Sequence, residues 1–278
     1  MANKGAWLNN KTVVVTGASG GLGAGLAEKL IKEHNCYVIG IARSEAKMKK
    51  FVEKLGSYAD HFDYRLFDVS IKENWENFAA EMKASGKVPS VLINNAGILP
   101  KFKRTDRYTQ EEIDQAMNIN FFSIVYATQV MLPVLLTQND PAIINVASSA
   151  SLMTLAGTSF YSASKAALRT YTEALRYEFR GKCYFSVVCP GFTATDIMRD
   201  QAGSSNTMKI VSMVSTSCET MVDWIFKGIE NKKPMMVRGF DAWAMDIFAR
   251  LFPVFGSTLF STVMKVANVD IFQDVFKD

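Results

Sequence analysis

A tyrosine and a lysine one helical turn apart, with a serine upstream of them, have the side chains needed for acid–base chemistry. Tyr161 and Lys165 are four residues apart, so on a helix they share one face. Ser148 ends an apolar run that is typical of a buried strand. A phenol has a pKa of about 10 in water, and a neighbouring cation lowers it. We therefore expect the Lys165 ammonium to lower the pKa of Tyr161, with the Ser148 hydroxyl in the same cleft.

The same three residues also have an ordinary structural interpretation. Tyr-x-x-x-Lys pairs occur on exposed helices, and paired serines after a strand commonly form a turn. The two interpretations differ in what the rest of the chain must provide. Acid–base chemistry requires elements that bring the side chains together and a molecule on which they act.

A glycine-rich segment near the N-terminus provides the first of these elements. Residues 12–17 form a β-branched apolar run that predicts a buried strand, and residues 21–34 have helical periodicity. Gly17 permits a tight turn, Gly21 lets the backbone approach a pyrophosphate, and Gly23 lets the helix pack closely. The amides at the helix N-terminus favour a phosphate. The segment predicts a dinucleotide site, and the alternative is a glycine-rich hairpin.

Taken together, the motifs of this chain resemble those of the classical short-chain dehydrogenases/reductases. They occur in the family's order, and residues beyond about 200 resemble the family less. The matching pieces are Thr16-Gly17-x-x-x-Gly21-x-Gly23, Asp68-Val69, Asn94-Asn95-Ala96-Gly97, Asn120, Ser148, Tyr161-x-x-x-Lys165 and Pro190-Gly191-x-x-x-Thr195.

The resemblance implies catalytic roles for Tyr161, Lys165 and Ser148, and for an asparagine. Tyr161 resembles the family's acid/base. Lys165 resembles the residue that holds the nicotinamide ribose and lowers the tyrosine pKa, and Ser148 resembles the group that polarises a substrate carbonyl. Asn120 resembles the asparagine that orders a water for proton relay. Asn118 competes for that role, but the family's asparagine usually has a small residue three positions later, as Asn120 has in Ser123.

The resemblance also implies a set of dinucleotide contacts. Asp68 resembles the residue that contacts the adenine, and Thr195 the contact on the carboxamide side, whereas Thr193 stands where the family often has an aliphatic residue. The full set of predicted cofactor-binding residues is Gly17, Ser19, Gly21, Leu22, Gly23, Arg43, Ser44, Asp68, Val69, Asn95, Ala96, Gly97, Tyr161, Lys165, Pro190, Gly191, Thr193 and Thr195.

The end of the second predicted strand indicates which dinucleotide binds. NAD sites usually place Asp or Glu there to hold the ribose hydroxyls. This chain has Ala42 followed by Arg43, and an arginine can pair with a 2′-phosphate through two hydrogen bonds. We therefore expect NADP(H), the alternative being that Arg43 is simply a loop cation. Lys47, Lys49 and Lys50 are interpreted as a solvated helix face, the alternative being that they add a diffuse positive field at the phosphate.

Apolar periodicity predicts alternating strands and helices along the chain. Such alternation indicates an α/β fold, a single doubly wound Rossmann-type domain over residues 1–278 with a parallel sheet of about seven strands. Predicted strands are 12–17, 36–42, 63–68, 91–95, 142–147, 185–189 and 235–237. Predicted helices are 21–34, 45–55, 71–84, 110–136, 158–180 and 217–230.

Composition excludes several classes of function. The net charge of +4 is too small to argue for a nucleic-acid partner. The four cysteines have no metal or redox spacing, so we expect no metal site. The N-terminus has no long apolar run, which predicts a cytoplasmic location. The basic cluster at 101–107 is interpreted as a solvated loop, with an anionic substrate as the alternative.

Two segments should complete the substrate side. Residues 197–216 are methionine-rich and suit a mobile lid. Residues 240–278 form an apolar helical C-terminal extension. Trp243, Ile247 and Leu251 share one helix face, and Phe255, Leu259 and Val263 share another. We expect these faces to be buried over the pocket, against a second subunit, or on a membrane surface, while the interrupting charges argue against a transmembrane span.

The resemblance implies an NADP(H)-dependent oxidoreductase that interconverts a ketone and a secondary alcohol. A hydrophobic substrate such as a steroid or bile acid is the leading expectation, by analogy with relatives that handle lipid-like substrates. Alternatives are a 3-oxoacyl thioester reductase and a non-catalytic NADP(H)-binding sensor or scaffold. A homo-oligomer, either a dimer or a tetramer, is expected.

Overall fold

The computed structural model describes residues 5–194, 215–266 and 273–276. Its centre is a sheet of seven parallel strands in the order β3-β2-β1-β4-β5-β6-β7, as the alternation of elements predicted. The strands are β1 Thr12–Thr16, β2 Tyr37–Ala42, β3 Phe62–Leu66, β4 Val91–Asn94, β5 Ala142–Val146, β6 Tyr184–Pro190 and β7 Met235–Arg238.

Helices cover both faces of this sheet. They are α1 Gly21–His34, α2 Glu45–Leu55, α3 Lys72–Ser85, α4 Gln110–Met117, α5 Ser123–Leu135, α6 Ser159–Glu178, α7 Cys218–Glu230, α8 Phe240–Leu251, α9 Pro253–Val266 and α10 Gln273–Phe276. Side chains of α1, α2 and α7 fill one core layer, and those of α3, α5 and α6 fill the other. Because both faces are buried, β1, β2 and β4 are nearly continuous apolar runs, whereas the edge strand β3 carries Asp63 and Arg65.

The strand order reverses between β1 and β4. β1 pairs with β2 on one side and with β4 on the other. Helices leave the sheet in opposite directions here, which opens a crevice at the carboxyl ends of the strands. Side chains fix the rim of the crevice: Thr16 Oγ1 accepts hydrogen bonds from the amides of Asn95 and Ala96, each 2.9 Å long.

A chain of buried polar side chains holds α6 in place against the sheet. Asn94 Nδ2 donates to Asn145 Oδ1 over 2.8 Å, and Asn145 Nδ2 donates to Thr172 Oγ1 over 2.9 Å. Buried side-chain amides need hydrogen-bond partners, so these two hydrogen bonds specify how β4, β5 and α6 align. The alignment sets the position of the helix that carries Tyr161 and Lys165.

The helix predicted over 110–136 is continuous but not regular. A π-helical turn, Asn118–Phe122, separates α4 from α5, and the Ser123 amide donates to the carbonyl of Asn118. Gln110–Leu135 is long and apolar enough to cross a membrane, yet 56% of its most apolar window is buried inside the fold. That burial is typical of a core helix.

The C-terminal helices bury different residues from those predicted. In α8 the buried residues are Ala242 and Met245, whereas Trp243 is 56% exposed. In α9 Phe255 and Leu259 are 60% and 43% exposed. Within the described residues, the structure therefore does not bury Trp243 and Phe255 over the pocket, and burial against a second subunit or on a membrane surface stays a prediction. Small residues on the opposite faces pack more closely; in α9 a Cβ at Gly256 would lie 3.2 Å from the Phe248 side chain.

Candidate active site

A cleft of about 440 Å³ lies at the carboxyl ends of the strands, beside the reversal of strand order. It brings together most residues that the sequence assigned to a cofactor. The predicted cofactor residues that line it are Gly17, Ser19, Gly21, Leu22, Arg43, Asp68, Val69, Asn95, Ala96, Gly97, Tyr161, Lys165, Pro190, Gly191 and Thr193. Thr195 and nearly all of the predicted lid at 197–216 lie outside the described residues.

The glycine-rich turn has the close contacts that require glycine. Gly17 has φ +66° and Gly21 has φ +52°, both in the left-handed region. A Cβ at Gly23 would lie 2.3 Å from the Gly17 carbonyl oxygen. Gly23 does not line the cleft; it allows α1 to begin directly against the turn. The first turn of α1 therefore borders the cleft with its unpaired amides, the arrangement that favours an anion.

Two cations border the cleft after β2. Arg43 and Lys47 both line it, and both are exposed. Arg43 also interacts with Asp68; burial opposes ionisation of that carboxyl, but hydrogen bonds from Ser70 and the charge of Arg43 bring its pKa below the ordinary value. Ser44 does not line the cleft. It caps α2, where its hydroxyl accepts from the Lys47 amide over 3.4 Å.

Tyr161 and Ser148 meet in the cleft. A hydrogen bond joins the phenol to the serine hydroxyl, which also accepts from the Ala150 amide over 3.2 Å. Ser148 caps the short 3-10 turn that follows β5, so its side chain is fixed at the strand end. Burial raises the pKa of Tyr161, and the Ser148 hydrogen bond only partly opposes this. The sequence predicted a lowered pKa, so for the protein alone that prediction is wrong.

The surroundings of Lys165 show why the pKa of Tyr161 is not lowered. Lys165 is 4% exposed, and its Nζ donates to the Val146 carbonyl over 3.0 Å. Burial lowers the pKa of Lys165 to about 8, and Tyr161 is not among the groups that shift it. Desolvation therefore sets the direction of the Tyr161 pKa, and the Ser148 hydrogen bond, not the charge of Lys165, is what opposes it. Gly97 leaves room for the amine, since a Cβ there would lie 3.2 Å from Nζ.

Asn120 lies beneath the cleft, in the π turn, and is fully buried. Its Oδ1 accepts from the Ile98 amide and its Nδ2 donates to the Ile98 carbonyl, each over 2.9 Å. The same Nδ2 lies 3.3 Å from Ser164 Oγ, which in turn donates to the Tyr161 carbonyl. Asn120 thus links the strand end after β4 to the turn of α6 that carries Tyr161. π-helical turns are often found at functional sites.

Part of the cleft lining was not predicted from the sequence. Lys47, interpreted as a solvated residue, lines the cleft one turn after Arg43, and the i,i+4 spacing could have indicated this. An apolar wall was also missed, and it consists of Leu99, Phe102, Leu155 and Phe192. Behind this wall lie Met245 and Phe260 of the C-terminal helices. Among the described residues, no cluster of His, Cys, Asp or Glu could hold a metal ion.

Comparison with known proteins agrees with this architecture. The family model described as short chain dehydrogenase matches residues 11–205. A ketoacyl reductase of Nostoc, HetN, is 32% identical over 231 residues, which is 81% of this chain and 77% of the relative. The 11-beta-hydroxysteroid dehydrogenase A of Sesamum indicum is 34% identical, over 67% of this chain and 53% of the relative. Among solved structures, a short-chain dehydrogenase from Streptomyces avermitilis has a TM-score of 0.76 at 23% identity, covering 94% of this chain and 98% of that one.

The family match covers more than half of the chain and includes β1 to β6. It contains the glycine-rich turn, the strand ends that form the cleft, and the helix that carries Tyr161 and Lys165. The chain therefore belongs to the short-chain dehydrogenase family of oxidoreductases, whose members use a nicotinamide cofactor.

Proposed function

We propose that this protein is an NADP(H)-dependent oxidoreductase that interconverts a ketone and a secondary alcohol. The observation that carries the proposal is the meeting of Ser148, Tyr161 and Lys165 in one cleft at the carboxyl ends of the strands. The cleft also has an anion-binding helix N-terminus and close-approach glycines, so its residues fit a dinucleotide. A non-catalytic NADP(H) sensor or scaffold would not need the tyrosine–serine hydrogen bond.

When bound, the nicotinamide would supply or accept the hydride. The protein's own residues then act on the oxygen of the substrate. Ser148 donates a hydrogen bond to the carbonyl oxygen, and Tyr161 gives that oxygen its proton as the alcohol forms. The raised pKa of Tyr161 favours this direction, because the phenol remains protonated at neutral pH. Asn120 holds the strand end after β4 in place and, with Lys165, would support proton resupply to the phenol.

The preference for NADP(H) is proposed from two cations. The Arg43 guanidinium makes no hydrogen bond or salt bridge within the described ranges, although its charge acts on Asp68, and Lys47 also lines the cleft. A 2′-phosphate at this position would gain charge-assisted hydrogen bonds from the guanidinium. No carboxylate follows β2 at Ala42, where a carboxylate would hold the free ribose hydroxyls of NAD.

A hydrophobic substrate is proposed from the apolar wall formed by Leu99, Phe102, Leu155 and Phe192. Such a surface accepts a steroid- or bile-acid-like ketone, and the hydroxysteroid dehydrogenase relative supports this class. The main alternative is a 3-oxoacyl thioester, and the relative from Nostoc, which is named a ketoacyl reductase, supports it. The basic cluster at 101–107 gives that alternative only weak support, because acidic side chains neutralise part of its charge. Lys103 pairs with Glu112 at 2.5 Å, and Arg104 pairs with Asp106 at 2.7 Å.

We also propose which larger partners the protein has. A homo-oligomer, either a dimer or a tetramer, would cover part of the exposed apolar surface, and a membrane surface is the alternative partner for the C-terminal helices. The proposal includes a cytoplasmic location and no nucleic-acid partner. It treats residues 1–278 as one domain.

The deciding experiment is NADPH oxidation against a panel of carbonyl compounds. The panel should include a steroid ketone, a 3-oxoacyl thioester and a small diketone, each repeated with NADH. We expect the steroid ketone to be reduced with the highest kcat/KM, and NADPH to be preferred over NADH. Tight NADPH binding without turnover on any carbonyl would favour the sensor alternative.

A further inference from the structure

One carboxylate connects a wall of the cleft to the C-terminal helices. The amide of Phe192, just after β6, donates to Asp241 Oδ2 over 2.6 Å. The neighbouring Gly191 amide donates to the Arg238 carbonyl over 2.7 Å. Gly191, Phe192 and Thr193 line the cleft. Asp241, in the first turn of α8, therefore lies directly behind the backbone that a dinucleotide would meet.

Two glycines create the space that this carboxylate occupies. A Cβ at Gly191 would lie 2.2 Å from Asp241 Oδ1 and 2.3 Å from Oδ2. A Cβ at Gly239 would lie 2.6 Å from Oδ1, and Gly239 also has φ +106°. Neither position accepts a side chain without displacing the carboxylate. The contact between α8 and the strand end is thus made at backbone distance.

The Asp241 carboxylate is partly buried and incompletely hydrogen-bonded. Burial raises the pKa of Asp241, although the backbone amides of Phe192, Ala242 and Asp241 itself act in the opposite direction. Within residues 5–194, 215–266 and 273–276, Oδ1 has no hydrogen bond of good geometry. A partly buried oxygen without such a bond contributes little to stability. The carboxylate instead orients the backbone: it holds the Phe192 amide in one orientation and so fixes the path of the chain from Gly191 to Thr193.

We propose that Asp241 is a positioning residue that holds the Gly191–Thr193 wall of the cleft in place for the nicotinamide end of the dinucleotide. This proposal rests on the function proposed above. The same wall is linked onward through Thr216, whose amide donates to the Phe192 carbonyl over 2.9 Å. Asp241 adds a hydrogen bond to the apolar packing of Met245 and Phe260 near Phe192, and so connects the C-terminal helices to that wall.

Kinetics of Asp241→Ala, Asp241→Asn and Asp246→Ala test this role. Asp246 is the matched control, since it lies on the same helix and pairs with Arg250. In Asp241→Ala, KM for NADPH should rise about tenfold or more, as expected for loss of a charge-assisted hydrogen bond. Asp241→Asn keeps an oxygen acceptor and should recover most of the affinity, and Asp246→Ala should resemble the wild type. Activity loss that merely follows the folded fraction in thermal melts would overturn the role.

Backbone amide exchange gives a readout that does not depend on turnover. Exchange at Phe192 should be at least about tenfold faster in Asp241→Ala than in the wild type, because its hydrogen-bond acceptor is gone. Exchange within β1 should not change. Equal exchange at Phe192 in both proteins would overturn the proposal. If the wild type reduces no carbonyl, the proposed function fails, and this measurement still tests Asp241.

A double-mutant cycle tests the contact itself. Gly191→Ala alone should lower Tm, because its Cβ meets the carboxylate. In the Asp241→Ala background the same substitution should lower Tm by less, since the obstructing oxygens are absent. An identical decrease in Tm in both backgrounds would show that Asp241 does not contact the wall in solution.

Discussion

The strands around the cleft and the C-terminal helices differ in how far their apolar residues are buried. β1 and β5 are almost entirely buried, and a polar side chain in each bonds to the end of β4 between them: Thr16 accepts from the Asn95 amide, and Asn145 accepts from Asn94. The helices α8 and α9 instead keep Phe240, Leu251 and Val254 exposed at 80%, 66% and 79%. Among the described residues, the polar groups of the first region have partners, whereas the second region presents an uncovered apolar surface. The first region therefore positions the candidate catalytic groups, and for the second we expect contact with a further molecule.

The largest difference between the regions should appear in Tyr161→Phe. The ring still packs, but the transferable proton is lost, so turnover should fall about 10²–10⁴-fold while NADPH affinity stays near normal. Steady-state kinetics and calorimetric titration measure the two quantities. Tyr177→Phe is the control, because Tyr177 lies on the same helix and is 74% exposed. Turnover near the wild-type value would remove Tyr161 from the mechanism.

Within the C-terminal region, the two sides of α8 should differ in their contribution to stability. Met245 is 3% exposed and packs behind Leu155, so Met245→Ala should lower the free energy of unfolding by about 2–5 kcal/mol. Trp243→Ala, on the exposed side, should change it by less than about 0.5 kcal/mol. Denaturant titrations measure both. An equal loss for Trp243→Ala would mean that another molecule covers Trp243 in solution.

Arg43→Asp should shift the preference from NADPH towards NADH. The substitution removes the cation that pairs with the 2′-phosphate and adds a carboxylate that repels it, so a loss of about 1.5–3 kcal/mol, or tenfold and more, is expected for NADPH. Lys47→Ala should have a smaller effect in the same direction. Lys49→Ala is the control, since Lys49 pairs with Glu45 and does not line the cleft. An unchanged ratio of the two affinities would assign phosphate recognition to other residues.

The smallest effect on folding is expected from Phe255→Ala combined with Leu259→Ala. Both side chains are exposed, so Tm should remain near that of the wild type. Sedimentation velocity and co-sedimentation with phosphatidylcholine vesicles then show which molecule the surface contacts. Loss of an oligomer would identify a second subunit, and loss of vesicle binding would identify a membrane surface. A changed ratio of steroid to diketone reduction, with neither loss, would show that the two residues shape the pocket.

The parts of the fold that local chemistry controls could be predicted from the sequence. The bounds of α2 match the prediction of 45–55, and the glycine contacts at Gly17 and Gly23 follow from the turn that a strand-to-helix junction needs. The pKa of Tyr161 was not predictable in the same way. Its direction depends on how deeply the phenol is buried, and burial is a property of the assembled cleft.

The C-terminal helices show the same limit. Periodicity identified amphipathic faces, but it could not show which face the sheet would accept. Close packing favoured the small residues Ala242 and Gly256 over the large ones at Trp243 and Phe255. The role of Asp241 was also not predictable, because its partner Phe192 is 49 positions away along the chain. Hydrogen bonds of that kind are set by topology and leave no local pattern.

The π turn at Asn118–Phe122 makes this helix sensitive to length in a way that substitutions would not reveal. One surplus residue is accommodated there, and each residue of an α-helix rotates the chain by about 100°. Removing a single residue from the turn would let regular helix continue with α4 and α5 still facing their present neighbours, but the residues inside the turn would lose their present positions. Asn120 would rotate away from Ile98. Natural length variants should therefore be tolerated in the surface turns of this protein but not at this point of the helix, where a one-codon deletion would disconnect Asn120 from the cleft.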